Sequence, residues 1–283
     1  MFDRSRAALS RIPFLGIRAP AIVPVVRLSG VIAARGGFGS AVLSLAAVAP
    51  RLQRAFSLRG ARAVALIINS PGGSPVQSSL IARRIRSLAD EKKLPVHIFV
   101  EDVAASGGYW LACAGDDIYA DATSIVGSIG VISAGFGFQK ALDKLGVERR
   151  VHTAGNNKGM LDPFQPEDPE DVVRLRRLQD EMHATFKDWV RSRRGDRLKA
   201  DDATLFEGEF WTAKRGLELG LIDGLGHLRD VLRERYGQKV RLPLVGERQG
   251  GFLRRMLGLA SVSLADGVLE AAEQRALWGR YGL

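Results

Sequence analysis

Residues 101–110 read EDVAASGGYW, and they follow the apolar run VHIFV at 96–100. The apolar run has the length and composition of a strand, and YWLAC at 109–113 has those of a helix. Ser106 is therefore predicted to lie at a sharp strand-to-helix turn, where its side chain is presented at the positive end of the helix. Two glycines after it allow the main chain to come close to whatever the hydroxyl contacts. This turn predicts either a nucleophilic serine or an ordinary serine that caps a helix.

Strand-like and helix-like segments alternate along the first half of the chain. The continuous apolar run at 63–68 is typical of a strand that is covered on both faces, and 21–28 and 118–120 are further candidate strands. A capping box of Ser74 and Gln77 is predicted to begin the helix that follows the apolar run at 63–68. Such alternation predicts an α/β fold built from crossover β-α units.

The second half of the chain is mainly helical by its pattern. Asp168 and Pro169 are predicted to begin a long helix that ends near residue 194, and shorter helices are expected around 199–207, 212–220 and 227–236. The long helix carries an apolar stripe that predicts a buried face, formed by Val172, Leu175, Met182, Phe186 and Trp189.

These patterns divide the chain into three parts. We expect a basic arm at 1–20, a main domain at 21–236 that includes the long helix at 168–194, and a tail at 237–283. The tail contains the basic and apolar stretch FLRRML at 252–257, so we expect it to contact an oligomer partner or a membrane.

The composition is that of an ordinary globular protein with a basic surface. The 283 residues are 46% hydrophobic and 25% charged, with a net charge of +10. No basic stripe with interleaved aromatic residues is present, so nucleic acid is not an expected partner. No run reaches the roughly 18 apolar residues of a spanning helix, and no signal peptide is evident. With one cysteine, Cys113, these features predict a cytoplasmic protein, with peripheral membrane association left open.

A second turn, SPGG at 70–73, closes a buried strand and opens a helix. Its free backbone N–H groups would point into the crevice at the strand ends, which suits an oxyanion formed during attack on a carbonyl. A phosphate is the competing ligand, but the Gly-Lys-Ser/Thr of a Walker sequence is missing. A tight turn that merely needs glycine conformations remains the third interpretation.

A nucleophilic serine needs a group that accepts its proton. His97 lies in a strand and His183 on the long helix, so both are interpreted as structural, whereas His152 and His227 stay open. A buried lysine can also accept the proton, because desolvation lowers its pKa. Lys158 is the lysine that stands between small polar residues and glycines in a loop, GNNKG at 155–159, and is therefore the candidate.

Four short motifs occur in an order and spacing that resemble those of the signal peptide peptidase A family of serine proteases, whose fold belongs to the ClpP/crotonase superfamily. They are NSPGGS at 69–74, ASGGY at 105–109, GSIGV at 127–131 and GLELGLIDG at 216–224. The resemblance extends from about residue 22 to 235 and matches the short, single-repeat members. It implies a ClpP/crotonase-like core with a helical C-terminal extension.

The resemblance also implies roles for five residues. Ser106 corresponds to the nucleophile and Lys158 to the general base of a Ser/Lys dyad. Ser128 is similar to the serine that orients the lysine, and Gly73 and Gly107 are similar to the glycines whose amides form the oxyanion hole. In the short family members, protomers form a ring, and neighbouring subunits contribute the serine and the lysine of one site. Many relatives carry an N-terminal membrane anchor that this sequence does not show.

The sequence therefore predicts a serine endopeptidase that cleaves extended hydrophobic peptides, such as remnant signal peptides or membrane-protein fragments. No cofactor or metal is expected, because no paired His/Cys spacing occurs. The expected partners are the peptide substrate, further copies of the chain in a ring, and an anionic membrane surface. A crotonase-type acyl-CoA enzyme and an inactive, membrane-associated ring-forming scaffold are the alternatives.

Overall fold

The computed structural model describes residues 19–35, 42–246 and 275–283. Most of the predicted basic arm at 1–20, and the basic and apolar stretch at 252–257, lie outside the described residues. Within the described part of the chain, no helix combines the length and the apolar character needed to cross a bilayer.

The centre of the fold is a mainly parallel sheet with the strand order β1-β2-β3-β4-β7. These strands are β1 (Val25–Ser29), β2 (Val64–Ser70), β3 (Val96–Ala105), β4 (Asp117–Ala120) and β7 (Gly224–Leu225). Neighbours along this path all run parallel. The short strand β5 (Ile125–Gly127) pairs with the end of β3, and β6 (Phe210–Thr212) pairs antiparallel with β5. Parallel neighbours need crossover connections, as the predicted α/β fold requires.

Helices supply those connections and continue into the second half of the described chain. In chain order they are α1 (Leu45–Phe56), α2 (Pro75–Lys92), α3 (Gly107–Ala112), α4 (Gln139–Leu145), α5 (Pro169–Arg194), a short 3₁₀ turn (Gly195–Arg197), α6 (Asp202–Leu205), α7 (Ala213–Glu218) and α8 (Leu228–Tyr236). The predicted long helix and the three shorter ones are therefore all present, with bounds shifted by a few residues.

The sheet is covered on both faces. Side chains from α1, α2, α3 and the end of α5 form the larger core on one face. On the other face, Leu232 of α8 packs with Val23, Val25, Ala65 and Phe99 in a smaller cluster. This two-sided burial explains why β2 is an uninterrupted apolar run, as its sequence predicted.

Strand β3 is ten residues long, twice the length that its apolar run predicted. Its first half pairs with β2 and β4, and its last three residues pair with β5. Glu101 and Asp102 lie at the change of partner, where they interrupt the apolar pattern. Glu101 forms an ion pair with Arg27, and Asp102 accepts a 2.5 Å hydrogen bond from Asn69, so both carboxylates are satisfied inside a strand. The prediction of a shorter strand was wrong because these tertiary partners are far away in sequence.

Helix α5 begins as predicted but is buried over a smaller part of its length. The Asp168 side chain accepts a 2.8 Å hydrogen bond from the Glu170 N–H, and Pro169 occupies the first turn. Only Phe186 of the predicted apolar stripe is fully buried, and Met182 is 44% exposed. The prediction that the whole stripe is core was therefore wrong: the first turns of α5 extend past the sheet, and apolar side chains there have no core to contact within one chain.

The predicted capping box of α2 is half formed. Ser74 Oγ accepts a hydrogen bond from the Gln77 N–H at 3.4 Å, as a capping serine does. The Gln77 side chain does not return to the backbone of Ser74; its Oε1 accepts from the Leu45 N–H at 2.9 Å. It thereby satisfies a free donor at the start of α1 and joins the N-termini of two helices.

The chain beyond α8 returns to the sheet edge. The N–H of Val25 donates to the Pro243 carbonyl, and the Val245 N–H donates to the Val25 carbonyl. Residues 241–245 thus cover the free edge of β1, which would otherwise expose unpaired backbone groups.

Candidate active site

Ser106 is held in a strained backbone conformation between β3 and α3. Its φ of 53° and ψ of −120° are unusual for a residue with a side chain, and such strain has a free-energy cost of order 1–3 kcal/mol. The Ser106 N–H donates to the Gly127 carbonyl at 2.8 Å, and its own carbonyl accepts from the Trp110 N–H at 3.0 Å. Its side chain makes no capping hydrogen bond to the helix. Interpretation of Ser106 as an ordinary capping serine is therefore wrong.

The two glycine-containing turns meet at Ser106. A Cβ atom built on Gly72 would lie 2.8 Å from Ser106 Cβ and from the Gly107 nitrogen, and one on Gly73 would lie 2.1 Å from the Ile32 carbonyl oxygen. Both glycines also have positive φ, of 103° and 137°. Side chains at these positions would clash with backbone atoms, so glycine is required for the close approach of the turns.

Two backbone donors at this junction are unused. Within the described residues, neither the Gly73 N–H nor the Gly107 N–H has a hydrogen-bond acceptor. A Cβ atom on Gly107 would lie 3.3 Å from the Gly73 nitrogen, so the two amides belong to adjoining pieces of backbone. Free N–H groups next to a presented hydroxyl can stabilise an oxyanion that forms when the hydroxyl attacks a carbonyl.

Ser128 directly follows β5, the strand that pairs with the end of β3. Ala105 is paired with Gly127 in the β3–β5 ladder, so the residues that follow them, Ser106 and Ser128, leave the sheet side by side. Ser128 is buried, with a φ of 54°, and its N–H donates to the Glu209 carbonyl at 2.6 Å. Its hydroxyl accepts a hydrogen bond from the Tyr281 hydroxyl at 3.3 Å.

Lys158 is not bonded to this group of residues. Its N–H donates to the Gly155 carbonyl at 3.1 Å in a turn, and its side chain is exposed. Within the part of the chain that the structure describes, the Lys158 ammonium makes no hydrogen bond or ion pair. The surrounding segment 131–168 is exposed almost throughout. One chain therefore brings together Ser106, Ser128 and the two glycine amides, while Lys158 lies in an exposed segment.

Two of the histidines, His97 and His183, form hydrogen bonds within the fold. His97 is buried, with Nδ1 2.8 Å from Asp117 and Nε2 2.6 Å from the Tyr236 hydroxyl, and the His183 ring contacts the Ile129 carbonyl at 3.2 Å. Burial raises the pKa of Asp117, but hydrogen bonds with His97 and Arg235 outweigh it and hold that pKa below its usual value. Both side chains are thus hydrogen-bonded within the fold, and their interpretation as structural stays a prediction.

A cavity of about 650 Å³ opens on the α8 face of the sheet, and Tyr281, whose hydroxyl bonds to Ser128, is one of its lining residues. Ile67, Phe99 and Ile125 form apolar parts of its wall, while Tyr281 and Leu283 close one side. The sequence did not indicate that Tyr281 belongs here, because no motif surrounds it and the contact spans more than half the chain.

The fold and the site define an α/β protein in which a strained serine at a strand–helix turn adjoins two backbone amides that have no acceptor among the described residues. This chain belongs to peptidase family S49, whose family model matches residues 88–240. The predicted family resemblance and the predicted fold class are thereby confirmed.

Two curated relatives show the extent of the similarity. The chloroplastic serine protease SPPA of Arabidopsis thaliana is 33% identical over 187 residues, which cover 65% of this chain and 27% of that protein. A protein of Brucella abortus (strain 2308) named Na(+)/H(+) antiporter NhaA is 54% identical over 272 residues, which cover 92% of this chain and 37% of that protein. The chain therefore spans 37% of the length of the Brucella protein and 27% of the length of the Arabidopsis protein.

Among solved structures, a 1510-N membrane-bound stomatin-specific protease in complex with a substrate peptide has the same fold. The match has a TM-score of 0.50 at 16% identity and covers 85% of this chain and 97% of that one.

Proposed function

We propose that this protein is a serine endopeptidase in which Ser106 is the nucleophile and Lys158 the general base. The observation that carries the proposal is the strained Ser106 beside the free amides of Gly73 and Gly107, in a chain of peptidase family S49. A non-glycine residue in a sparsely populated conformation persists where the surrounding structure holds it, and such residues cluster at active sites.

The reaction follows from these groups. Neutral Lys158 takes the proton of the Ser106 hydroxyl as Oγ attacks the substrate carbonyl carbon, and the Gly73 and Gly107 amides stabilise the resulting oxyanion. The intermediate collapses as the peptide C–N bond breaks, and Lys158 passes its proton to the leaving amine, which gives an acyl-enzyme. Lys158 then accepts a proton from the water that hydrolyses the ester, and it returns that proton to Ser106.

The proposed substrate is an extended, apolar peptide, such as a remnant signal peptide or a fragment of a membrane protein. An extended peptide can add to exposed backbone near the strand ends and be fixed by main-chain hydrogen bonds. Support comes from the family of the chain. The solved relative 1510-N was also captured with a substrate peptide.

We further propose that the chain works as a homo-oligomeric ring, in which a neighbouring copy supplies Lys158. The segment 131–168 exposes apolar side chains that one chain leaves uncovered, including Phe136, which is 74% exposed. The Phe138 ring contacts the rings of Phe136 and Phe164 in tilted arrangements, with centroids 6.3 and 5.6 Å apart. Exposed apolar clusters of this kind are typical of protein–protein interfaces. Burial of this segment against a second copy would also desolvate Lys158, which a neutral base requires.

The test combines a covalent probe with peptide turnover. A fluorophosphonate should label Ser106 in the wild-type oligomer, and Ser106→Ala should abolish both labelling and cleavage of an unfolded hydrophobic peptide. Lys158→Ala should lower turnover by about 10²–10⁴-fold, the usual contribution of a general base. Lys144→Ala is the matched control, because Lys144 is an exposed lysine of the same segment and should leave turnover unchanged.

Retained turnover in Lys158→Ala would refute the dyad. Absence of labelling in wild type would instead favour the crotonase-type or scaffold alternatives, since neither needs an activated serine. Association of the basic arm at 1–20 with anionic membranes stays a separate prediction. Flotation with anionic liposomes tests it, and a wholly unbound protein would refute it.

A further inference from the structure

The pairing of β2 with β3 is irregular just before the two strands reach the site. Ile68 is opposite Val100, and the next paired residues are Ser70 and Ala104. Strand β2 thus advances by two residues where β3 advances by four, so β3 carries two extra residues opposite Asn69. An irregularity of this kind leaves the extra residues unpaired and disrupts the ladder locally.

The side chain of Asn69 bridges this irregularity. Its Oδ1 accepts a hydrogen bond from the Val103 N–H at 3.2 Å, and its Nδ2 donates to the Asp102 carboxylate at 2.5 Å. The backbone of Asn69 is paired with Ser29 of β1, and its carbonyl accepts from the Gly30 N–H at 2.9 Å. Asn69 therefore bonds to the chain on both sides of β2.

These two side-chain bonds require an amide. The Val103 N–H can only donate and the Asp102 carboxylate accepts, so the partners determine which side-chain atom of Asn69 is the oxygen and which the nitrogen. An aspartate at this position would keep the acceptor for Val103 but would place a second carboxylate against Asp102. The side chain of Asn69 is thus matched in its chemistry to both partners.

The register of β2 against β3 sets the geometry of the two amides that have no acceptor among the described residues. The Gly73 N–H belongs to the turn that leaves β2, and the Gly107 N–H belongs to the turn that leaves β3. A Cβ atom on Gly72 would lie 2.8 Å from the Gly107 nitrogen, and one on Gly108 would lie 2.3 Å from the Ser70 carbonyl oxygen, so the turns are in backbone contact. A slip of one residue along a strand is about 3.3 Å, whereas catalytic groups must be held to within about 0.5 Å. A link between the strands immediately before the turns therefore acts directly on the two amides.

The link lies outside the main core of the sheet. Asp102 is exposed and Asn69 is half-buried, whereas core side chains such as Ile68 and Val100 lie on the preceding, regular part of the ladder. Loss of the link is therefore expected to leave the fold intact, so an effect on rate can be separated from an effect on stability.

We propose that Asn69 is a positioning residue for the oxyanion hole: its side-chain amide holds the ends of β2 and β3 in the register that keeps the Gly73 and Gly107 N–H groups side by side. The inference rests on the proposed peptidase function and deepens it, because it adds a residue that acts on the oxyanion through the backbone. Without the link, the two turns can shift against each other, and the oxyanion loses an aligned donor.

The first experiment exchanges the two linked side chains. Asn69→Asp should slow fluorophosphonate labelling of Ser106 and lower kcat for an unfolded hydrophobic peptide by about 10–100-fold, since a misplacement of 1 Å can cost about 10²-fold in rate. KM should change little, because an oxyanion donor acts on the transition state. In the double variant with Asn69→Asp and Asp102→Asn, the donor and the acceptor are reversed. The bond can then form again, so both rates should return most of the way to those of wild type.

Two further variants accompany this exchange. Gln53→Glu makes the same amide-to-carboxylate change on α1, where the Gln53 side chain accepts from Arg84 and donates to Ser57, and it should leave both rates unchanged. Asp102→Ala removes one partner of Asn69 at an exposed position, so it should fold normally and lower both rates several-fold. A folded Asn69→Asp with wild-type rates, or a double variant no faster than Asn69→Asp, would overturn the inference. If Asn69→Asp does not fold, Asp102→Ala decides, and wild-type rates in that variant would overturn it.

Amide hydrogen exchange measures the register without relying on catalysis. The segments 69–74 and 103–108 should exchange at least about 10-fold faster in Asn69→Asp than in wild type and recover in the double variant, while the regular part of β2 at 64–68 keeps its protection. Unchanged exchange in both segments would contradict the inference. If exchange changes as expected but Ser106 is labelled in no protein, wild type included, then the serine peptidase proposal fails while the role of Asn69 in the register stands.

Discussion

The backbone N–H of Ser106 donates a 2.8 Å hydrogen bond to the carbonyl of Gly127. This bond continues the β3–β5 ladder by one residue past the point where β3 ends. Ser106 has a φ of 53°, and Ser128 directly follows the Gly127 whose carbonyl accepts this bond. The relationship explains how a serine at the end of one strand and a serine at the end of another come to share one site.

Mixing two inactive variants tests whether neighbouring chains share the dyad. Ser106→Ala and Lys158→Ala should each be inactive alone. Co-assembled at equal amounts, they should recover about a quarter of wild-type peptide turnover, because a ring built by random mixing pairs an intact serine with an intact lysine in that share of its sites. Peptide turnover after co-expression provides the measurement. A mixture as inactive as its components, despite confirmed mixed rings, would show that each chain supplies its own lysine.

Gly73→Ala should lower activity strongly, because it displaces a backbone N–H of the proposed oxyanion hole. A Cβ atom at this position would lie 2.1 Å from the Ile32 carbonyl oxygen, and the φ of 137° is unfavourable for alanine, so the turn must shift. Loss of one oxyanion donor typically lowers kcat by about 10²–10³-fold. Gly135→Ala is the control, since a Cβ atom there meets nothing within 4 Å. The measurements are kcat/KM and Tm, and near wild-type turnover in Gly73→Ala would contradict the role of this amide.

Cys113 should be unreactive in the folded protein. Burial raises the pKa of its thiol to about 12, so the nucleophilic thiolate is scarce at pH 8. A chromogenic disulfide reagent at pH 8 should modify no thiol in the native state and one per chain in guanidinium. Rapid modification of the native protein would show that the helix α3 is opened more readily than its burial implies.

The ion pair between Arg194 and Asp223 should be a strong structural contact. Arg194 is 3% exposed, and its Nη1 lies 2.7 Å from Asp223. Its Nε and Nη2 also donate to the Gly220 carbonyl. Asp223→Ala leaves a buried guanidinium unpaired, which typically costs about 3–5 kcal/mol in the free energy of unfolding.

Chemical denaturation measures that change, with Glu218→Ala as the control because Glu218 forms an exposed pair with Arg215. Exposed pairs contribute little, so the control should have nearly wild-type stability. Similar losses in both variants would show that burial of Arg194 is not the reason for the effect.

Some parts of the site could be predicted from short stretches of sequence. The strand-to-helix turn at Ser106 follows from an apolar run, a serine and two glycines, and the glycine turn at 70–73 follows from the same kind of local pattern. Helix α5 was predicted with its N-cap, because Asp168 and Pro169 act on adjacent residues. In each case the physical cause lies within a few residues, so the sequence contains it directly.

Other features depend on residues that are distant in sequence. The extension of β3 through Glu101 and Asp102 needs Arg27 and Asn69 as partners. The Gln77 side chain accepts a hydrogen bond from the backbone of α1 and does not cap its own helix. No local sequence pattern indicates this contact. The exposure of Met182 likewise depends on how far α5 extends past the sheet, and helical periodicity carries no information about that.

The sequence by itself determined the α/β class, the two glycine turns and the family motifs, because these are set by local propensity and spacing. Only the tertiary structure decided that the two turns meet at Ser106, that Ser128 adjoins it, that Lys158 lies in an exposed segment of the chain, and that the Tyr281 hydroxyl bonds to Ser128. The physical reason is that sheet register and packing join residues that are far apart along the chain. The pairing of β3 with β5 is the clearest example, since one hydrogen-bonded ladder places Ser106 and Ser128 side by side.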